Sequence, residues 1–190
     1  LISVFGTIGA KVIFDLGIKN IKIPSHETTN KKLIEFCSNN FDYIYFSAGA
    51  SSEGDVKEAV DILKNGNADF NLMHCVSSYP CADSNANLNR INWLGDMHSS
   101  LGYSDHTQST IVPALAVLNG VSVVEKHFTI DKELPGRDNK FALDPNEFKE
   151  MTKNIEIASL SVLDRGNGYQ SIEEDTVMNY RGRWEPQDYN

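Results

Sequence analysis

Short β-type runs alternate with amphipathic helical patterns along most of this chain. Runs such as Asp42–Phe46 and Val121–Val124 are apolar for almost their whole length, which is typical of strands covered on both faces. The alternation predicts parallel βα units, because two parallel strands must be joined by a crossover that a helix supplies. We predict strands at Leu1–Phe5, Ile21–Pro24, Tyr43–Ser47, Asn71–Cys75, Leu101–Ser104 and Ser122–Phe128.

Two of the predicted helices begin with recognisable N-terminal signals. Ser52 and Asp55 form a capping pattern ahead of the amphipathic stretch Glu53–Lys64. Asp144, followed by a proline and then by Glu147 at the third helical position, forms another. We therefore expect one helix to begin after each of these two caps.

About six βα units can be counted before the helical periodicity ends at Asp164. A closed (β/α)₈ barrel needs eight such units and typically about 250 residues, more than the 190 of this chain. Either the sheet is open, or the chain lacks two units. We predict an α/β domain over residues 1–164 and a polar tail or linker over residues 165–190, with Arg181, Arg183 and Trp184 as its strong features.

The formal net charge of −9 restricts the partners of this chain. Its field repels nucleic acid and anionic membrane surfaces, so neither is expected as a partner. An anionic substrate would need a few locally placed lysines, hydroxyls and backbone amides. The sequence has no apolar run near 18 residues, and its three cysteines lack zinc-type spacing and suit reduced thiols, so we expect a cytoplasmic protein.

Polar side chains follow each predicted strand. In parallel α/β folds functional residues gather at the carboxyl ends of the strands, so we expect these side chains to lie together. Lys22 and the hydroxyls suit a phosphate or a carboxylate, while His106 and His127, on adjacent strands, suit a shared metal ion. The full set is Ser3, Lys22, Ser25, Glu27, Ser47, His74, Ser77, Tyr79, Ser104, Asp105, His106, Glu125, Lys126, His127 and Asp138.

His74, which belongs to this set, and several residues beside the set also have structural interpretations. His74 lies within an apolar strand, where a hydrogen-bonded core histidine explains the residue at least as well as catalysis does. Gly49 and Gly136 are typical of turns, and Asp144 is assigned to helix capping alone. The hypothesis of a site therefore depends on the ensemble rather than on any single residue.

Six motifs made by these residues resemble those of the sialic acid synthase family, which includes N-acetylneuraminate, legionaminic acid and pseudaminic acid synthases. They occur in the family's order and at its spacings, from about residue 1 to residue 160. The segment K-I-P-S-H-E-T-T-N from Lys22 resembles the family's K-I-P-S-x-E-x-x-N. The other motifs are S-A-G from Ser47, H-C-V-S-S-Y-P from His74, G-Y-S-D-H-T from Gly102, E-K-H-F-T from Glu125 and L-P-G-R-D from Leu134.

The resemblance implies a TIM barrel that lacks its first two strands here, so that Leu1–Phe5 corresponds to the third. It also implies a small antifreeze-like domain after the barrel and a homodimer in the full-length form. The implied reaction joins phosphoenolpyruvate to an N-acylated amino sugar aldehyde of the N-acetylmannosamine type. The products are a nine-carbon sialic acid-type sugar and phosphate.

The resemblance also implies roles for individual residues. Glu27, Tyr79 and Asp138 would be catalytic residues that face the sugar. His106 and His127 would hold Mn²⁺, or Mg²⁺ or Co²⁺ in its place. The residues that would contact phosphoenolpyruvate are Ser3, Lys22, Ser25, Ser47, Ser77 and Ser104.

The chain departs from the family pattern at several positions. His26 replaces a usual glycine, Ala48 a usual threonine and Gly6 a usual aspartate. The family's glutamate and lysine on the first strands, and an arginine from the appended domain, have no counterpart in these residues. An inactive remnant is therefore an alternative to an active synthase.

Another barrel enzyme that condenses phosphoenolpyruvate with a phosphorylated sugar aldehyde is a further alternative. Such an enzyme needs additional basic residues for the sugar phosphate. Lys126 and Arg137 are the nearby candidates.

Overall fold

Six parallel strands form one sheet, and they lie side by side in chain order. The structure is a computed structural model that describes residues 1–184. Its strands are β1 (Ile2–Ser3), β2 (Asn20–Ile23), β3 (Tyr43–Ser47), β4 (Asp69–Cys75), β5 (Leu101–Asp105) and β6 (Val121–Lys126). A helix joins each strand to the next, as the alternation of patterns predicts.

The helices of the described residues cover the outside of this sheet or follow it in the chain. They are α1 (Gly6–Asp15), α2 (Lys31–Asn40), α3 (Glu53–Asn65), α4 (Arg90–Gly95), α5 (Val112–Val117), α6 (Pro145–Ser161) and α7 (Glu174–Asn179). Both predicted capping signals are confirmed. The Ser52 hydroxyl accepts from the Asp55 amide at 3.2 Å, and the Asp144 carboxylate accepts from the amides of Asn146 and Glu147 at 2.8 and 2.9 Å.

The sheet curls, as a contact between two distant strands demonstrates. Lys22 lies on β2 and Glu125 on β6, four strands further along. In a flat sheet with strands about 4.8 Å apart, these residues would be about 19 Å from each other, beyond the reach of their side chains. Their charged groups nevertheless form an ion pair. The six strands are thus a curled part of a barrel, and the predicted incomplete TIM barrel is confirmed.

The two faces of the sheet differ in chemistry. Ile23, Phe46 and Leu72 are register neighbours on the outer face, and each is fully buried in the core between the sheet and the helices. One position earlier, the register neighbours Lys22 and Tyr45 point to the inner face. This alternation keeps the core apolar and directs the polar residues of the strand ends into the curl.

The two edges of the sheet are β1 and β6, as predicted. Strand β1 nevertheless covers only Ile2–Ser3 of the predicted Leu1–Phe5, and α1 begins at Gly6. Within the described residues β1 pairs with β2 alone. It therefore makes backbone hydrogen bonds on one side only, whereas an inner strand makes them on both sides. At the other edge, β6 ends at Lys126, and Phe128, predicted as its last residue, forms an isolated bridge with Leu143.

The tail contains more regular structure than its polar sequence predicts. A 3₁₀ turn at Ser171–Glu173 leads directly into α7. The Glu173 carboxylate accepts from the Gln170 amide at 2.7 Å, which is a local capping contact that apolar periodicity cannot reveal. Residues 185–190 of the predicted tail lie outside the described residues.

Candidate active site at the carboxyl ends of the strands

A cleft opens on the inner face of the sheet, where the strands end. Seven of the eleven predicted site residues line it, namely Ser3, Lys22, Ser25, Tyr79, Ser104, His106 and His127. The other lining residues are Phe5, Pro24, His26, Cys75, Asp105, Glu125 and Lys126. The strand ends therefore bring most of the predicted residues together, while their individual roles stay predictions.

Lys22 is one of two lysines that line the cleft, and its charge is matched by Glu125. The Lys22 ammonium pairs with Glu125 Oε2, which also accepts from the Ser104 hydroxyl at 2.6 Å. Burial by itself raises the pKa of the Glu125 carboxyl, but the Lys22 charge and the two hydrogen bonds outweigh it and lower the pKa. An anion that enters the cleft thus meets a lysine that already has a carboxylate partner.

Two serine hydroxyls and a thiol converge on Gly49. The Gly49 amide donates to the Ser25 hydroxyl at 2.9 Å. A Cβ atom at Gly49 would lie 2.6 Å from the Ser77 hydroxyl oxygen, 2.8 Å from that of Ser25 and 2.9 Å from the Cys75 sulfur. Only a residue without a side chain leaves room for this cluster, so the S-A-G turn has a steric function beside the site.

His106 and His127 lie next to each other at the ends of β5 and β6. Their ring centroids are 5.3 Å apart, and the Tyr79 ring lies 4.1 Å from that of His106. Nδ1 of His106 is 2.8 Å from the Val76 carbonyl, which fixes the ring and leaves Nε2 for another contact. Burial and then the neighbouring His106 lower the pKa of His127, which favours the neutral imidazole that metals bind.

These two imidazoles fit part of a divalent metal site. A backbone carbonyl orients one ring, as is common for ligating histidines. Asp138 Oδ2 lies 3.7 Å from His127 Nδ1, which is within ion-pair distance but longer than a hydrogen bond. Within residues 1–184 no group of three His, Cys, Asp or Glu side chains is arranged to hold a metal ion. The described residues therefore supply two nitrogen ligands and leave the remaining positions to water, substrate or other groups.

Four predicted residues do not line the cleft. Ser47 is buried on β3, with its hydroxyl 3.9 Å from the Met73 sulfur. Ser77 belongs to the cluster at Gly49, and the exposed Asp138 lies behind His127. Glu27 is half-buried and accepts from the side chain of Asn30, the N-cap of α2, at 2.6 Å.

Sequence reasoning placed Glu125 among the strand-end residues without giving it a role, and it missed Cys75. Glu125 lies two positions before His127, on the same face of β6, so strand alternation was a usable signal for it. Cys75 Sγ is 3.8 Å from His106 Nδ1. Burial by itself raises the pKa of this thiol, but the hydrogen bond and charge of His106 lower it overall. No sequence pattern indicates this contact, which depends on the pairing of β4 with β5.

His74 is a buried residue of the core and does not line the cleft. It is fully buried, its Nε2 lies 2.7 Å from the Ala86 carbonyl, and its ring stacks on Tyr103. This arrangement agrees with the core interpretation at Nε2, whereas Nδ1 is buried without a hydrogen-bond partner among the described residues.

Comparison with known proteins identifies the family. The model of the NeuB family matches residues 1–166 of the chain. The chain belongs to the NeuB family. It is 38% identical over 168 residues to the N,N'-diacetyllegionaminic acid synthase of Legionella pneumophila, a match that covers 85% of this chain and 47% of that protein. It is 35% identical over 169 residues to the N-acetylneuraminate-9-phosphate synthase of Drosophila melanogaster, covering 83% of this chain and 45% of that protein.

A solved structure agrees with this assignment. The N-acetylneuraminic acid synthetase of Leptospira borgpetersenii, in complex with citrate, superposes with a TM-score of 0.87 at 28% identity, covering 95% of this chain and 64% of that one. This NeuB-family chain spans about half the length of the curated relatives that it matches. None of the helices between residues 1 and 184 is long and apolar enough to cross a membrane.

Proposed function

We propose that this chain forms part of a sialic acid-type synthase, which condenses phosphoenolpyruvate with an N-acylated amino sugar aldehyde and releases phosphate. The observation that carries the proposal is the convergence of Lys22, Ser25 and Ser104 with His106 and His127 in one cleft of a NeuB-family barrel. The set joins donors suited to an anion with two imidazoles suited to a metal ion. A cytoplasmic location, a homodimer and the choice of Mn²⁺, Mg²⁺ or Co²⁺ stay predictions.

The anion side of the cleft would bind phosphoenolpyruvate through charge and hydroxyl donors. Lys22 would contact its phosphate or carboxylate oxygens, with Ser25 and Ser104 donating from the two sides of the cleft. Held in this way, the methylene carbon of phosphoenolpyruvate faces the second substrate, and positioning of this kind can supply a large part of a rate enhancement. Because Glu125 already pairs with Lys22, substrate oxygens would compete with a carboxylate for the same ammonium group.

The sugar aldehyde would lie towards Tyr79 and the two histidines. The methylene carbon bonds to the aldehyde carbon while the electrons of the carbonyl double bond move to the aldehyde oxygen, which takes up a proton and becomes a hydroxyl. Water adds to the cationic carbon left beside the new bond and gives up a proton. The carbon–oxygen bond to phosphate then breaks, which releases phosphate and leaves a keto group. Tyr79, Asp138 and Glu27 are the proposed sugar-side residues, and a carboxylate among them could take the proton from water. A divalent ion held by His106 and His127 would supply Lewis-acid polarisation of the aldehyde.

The described residues favour an unphosphorylated aldehyde. A sugar phosphate would need a further basic residue, and Lys126 borders the cleft. However, only 2% of its side chain is exposed, and its ammonium pairs with Asp105. Arg137 is exposed in the loop after β6. N-acetylmannosamine and a 2,4-diacetamido sugar are therefore the first aldehydes to test, with a phosphorylated aldose as the comparison.

The experiment is a titration of phosphoenolpyruvate into the intact protein and its Lys22→Met variant by calorimetry. Methionine retains most of the aliphatic stem but removes the charge. Loss of a charged hydrogen bond, about 1.5–3 kcal/mol, should weaken binding roughly 10- to 150-fold. Phosphate release in the presence of each aldehyde then identifies the second substrate.

Two further variants make the titration decisive. Lys57→Met removes a lysine that is exposed on α3 and paired with Glu53, so it should bind phosphoenolpyruvate like the parent protein. In Lys22→Met the Glu125 carboxylate loses its partner and can repel the anionic substrate. The double variant Lys22→Met/Glu125→Gln removes this carboxylate as well. Comparing the two variants separates the lost attraction between Lys22 and phosphoenolpyruvate from the new repulsion between Glu125 and phosphoenolpyruvate. Equal affinity of Lys22→Met and the parent protein would exclude Lys22 from the anion site.

A further inference from the structure

A buried ion pair lies directly behind the two histidines. Asp105 and Lys126 are register partners at the last positions of β5 and β6. Their side chains are 0% and 2% exposed, and Lys126 Nζ lies 2.5 Å from Asp105 Oδ2. His106 and His127 follow directly in the chain, so strand alternation directs the side chains of the ion pair away from those of the histidines. Asp105 and Lys126 border the cleft, but their side chains are buried beneath it.

The hydrogen bonds of this pair are complete. Asp105 Oδ1 accepts from the Tyr103 hydroxyl at 2.9 Å and from the Thr107 amide at 2.8 Å. The Lys126 ammonium has three donors. It contacts Asp105 Oδ2, the Thr107 carbonyl at 2.5 Å and the Ser109 carbonyl at 3.2 Å. The lysine thereby ties the end of β6 to the loop that follows His106.

Stability is a weak explanation for such a pair. Removing two charges from water costs about as much as their attraction returns, and an apolar pair of similar size often serves stability as well or better. An apolar pair would not, however, bind the two loop carbonyls beyond His106. Only the ion pair can therefore hold the ends of β5 and β6 at a fixed distance from each other.

We propose that the Asp105–Lys126 pair is a positioning device that fixes the spacing of His106 and His127 for a divalent metal ion, an inference that rests on the metal role proposed above. Neither residue is required to touch the ion or the substrate. Partners that orient metal ligands from behind typically change metal affinity about 10- to 100-fold when they are removed. The same loss of affinity is expected here, with altered ligand geometry and a retained fold.

The test uses Co²⁺ as the metal, in the intact protein, because its visible spectrum reports ligand geometry without any enzymatic assay. We compare the parent protein with Lys126→Met and with Asp105→Asn/Lys126→Met, in which the asparagine still accepts from Tyr103 and Thr107. Dissociation constants should rise about 10- to 100-fold and the spectrum should change, while circular dichroism stays that of the parent. Lys126→Arg, which keeps the charge, should restore part of the affinity, and Lys57→Met should change nothing.

The outcomes separate this inference from the metal role itself. If His106→Ala and His127→Ala bind Co²⁺ like the parent protein, the histidines are not ligands, and the proposed metal role fails. If those variants lose Co²⁺ but a folded ion-pair variant keeps the parent affinity and spectrum, the positioning inference alone fails. If neither ion-pair variant folds, the pair determines folding rather than positioning, and the inference is overturned as well.

Discussion

Replacing Gly49 with alanine would bring a Cβ atom into the cluster formed by Ser25, Ser77 and Cys75. The three nearest atoms would lie at 2.6, 2.8 and 2.9 Å from that Cβ, all closer than a carbon atom tolerates. All three belong to short side chains in or beside the cleft, and Cys75 is itself buried. The methyl group can therefore be accommodated only by moving the hydroxyls or the S-A-G turn.

The expected size of the effect follows from two opposing contributions. Overpacking of a buried site costs about 1–3 kcal/mol. Alanine also restricts the unfolded chain more than glycine does, which returns about 0.4–1 kcal/mol. The middle of each range gives a fall in the free energy of unfolding of about 1.3 kcal/mol, and the extremes give about 0 and 2.6 kcal/mol. If the displaced Ser25 loses one hydrogen bond to phosphoenolpyruvate, about 0.5–1.5 kcal/mol, affinity should fall roughly 2- to 12-fold.

Urea unfolding and calorimetric titration with phosphoenolpyruvate measure the two effects. Gly54→Ala is the matched control, because Gly54 lies in the first turn of α3 and its added Cβ would be 3.9 Å from its nearest neighbour. This control should be neutral or more stable by up to about 1 kcal/mol. A Gly49→Ala protein with the stability and affinity of the parent would refute the reasoning, because it would mean that the cluster accommodates a methyl group despite the short distances.

Two further predictions concern residues outside the cleft. Burial lowers the pKa of His74, although the hydrogen bond that its Nε2 donates to the Ala86 carbonyl acts in the opposite direction. Protonation therefore favours the unfolded chain, and stability is lost as the pH falls below the unfolded-state pKa of about 6.5. His74→Gln should therefore reduce the loss of unfolding free energy between pH 7 and pH 5 in urea titrations, and an unchanged loss would contradict this. Burial raises the pKa of Cys37 to about 12, so iodoacetamide at pH 8 should label this thiol only in the unfolded protein. Peptide mapping by mass spectrometry checks the label, and equal labelling rates with and without urea would exclude a protected thiol.

Much of the barrel could be predicted because its signals are local. Strand β3 has the predicted bounds Tyr43–Ser47, since the run begins after Asp42 and ends where the S-A-G turn begins, which leaves little freedom at either end. The capping boxes of α3 and α6 depend on residues three positions apart, a distance that the sequence displays directly. Strand order could be predicted because consecutive parallel strands usually lie next to each other and their crossover connections are right-handed. These two rules leave few topologies to consider.

The contacts that define the cleft could not be predicted in the same way. Lys22 and Glu125 are 103 positions apart, and they meet only because four intervening strand spacings curl. Lys126 was considered as a binding residue because its charge is visible in the sequence, whereas its burial against Asp105 depends on the register of β5 and β6. Strand alternation predicts that Glu125 and His127 point to one face of the sheet and Lys126 to the other. It does not predict which residue each of them contacts.

The pairing of Lys22 with Glu125 bears on how an acidic chain binds an anionic substrate. A lysine whose charge is already matched gains less from an incoming anion than a free lysine would, because one carboxylate contact is exchanged for another. Affinity must then depend more on donors without a competing anion, such as the Ser25 hydroxyl held by the Gly49 amide. The two titrations measure this balance. If Lys22→Met costs more affinity than Gly49→Ala even with Glu125 replaced by glutamine, charge dominates the site; the reverse order would assign the larger share to the hydroxyl cluster.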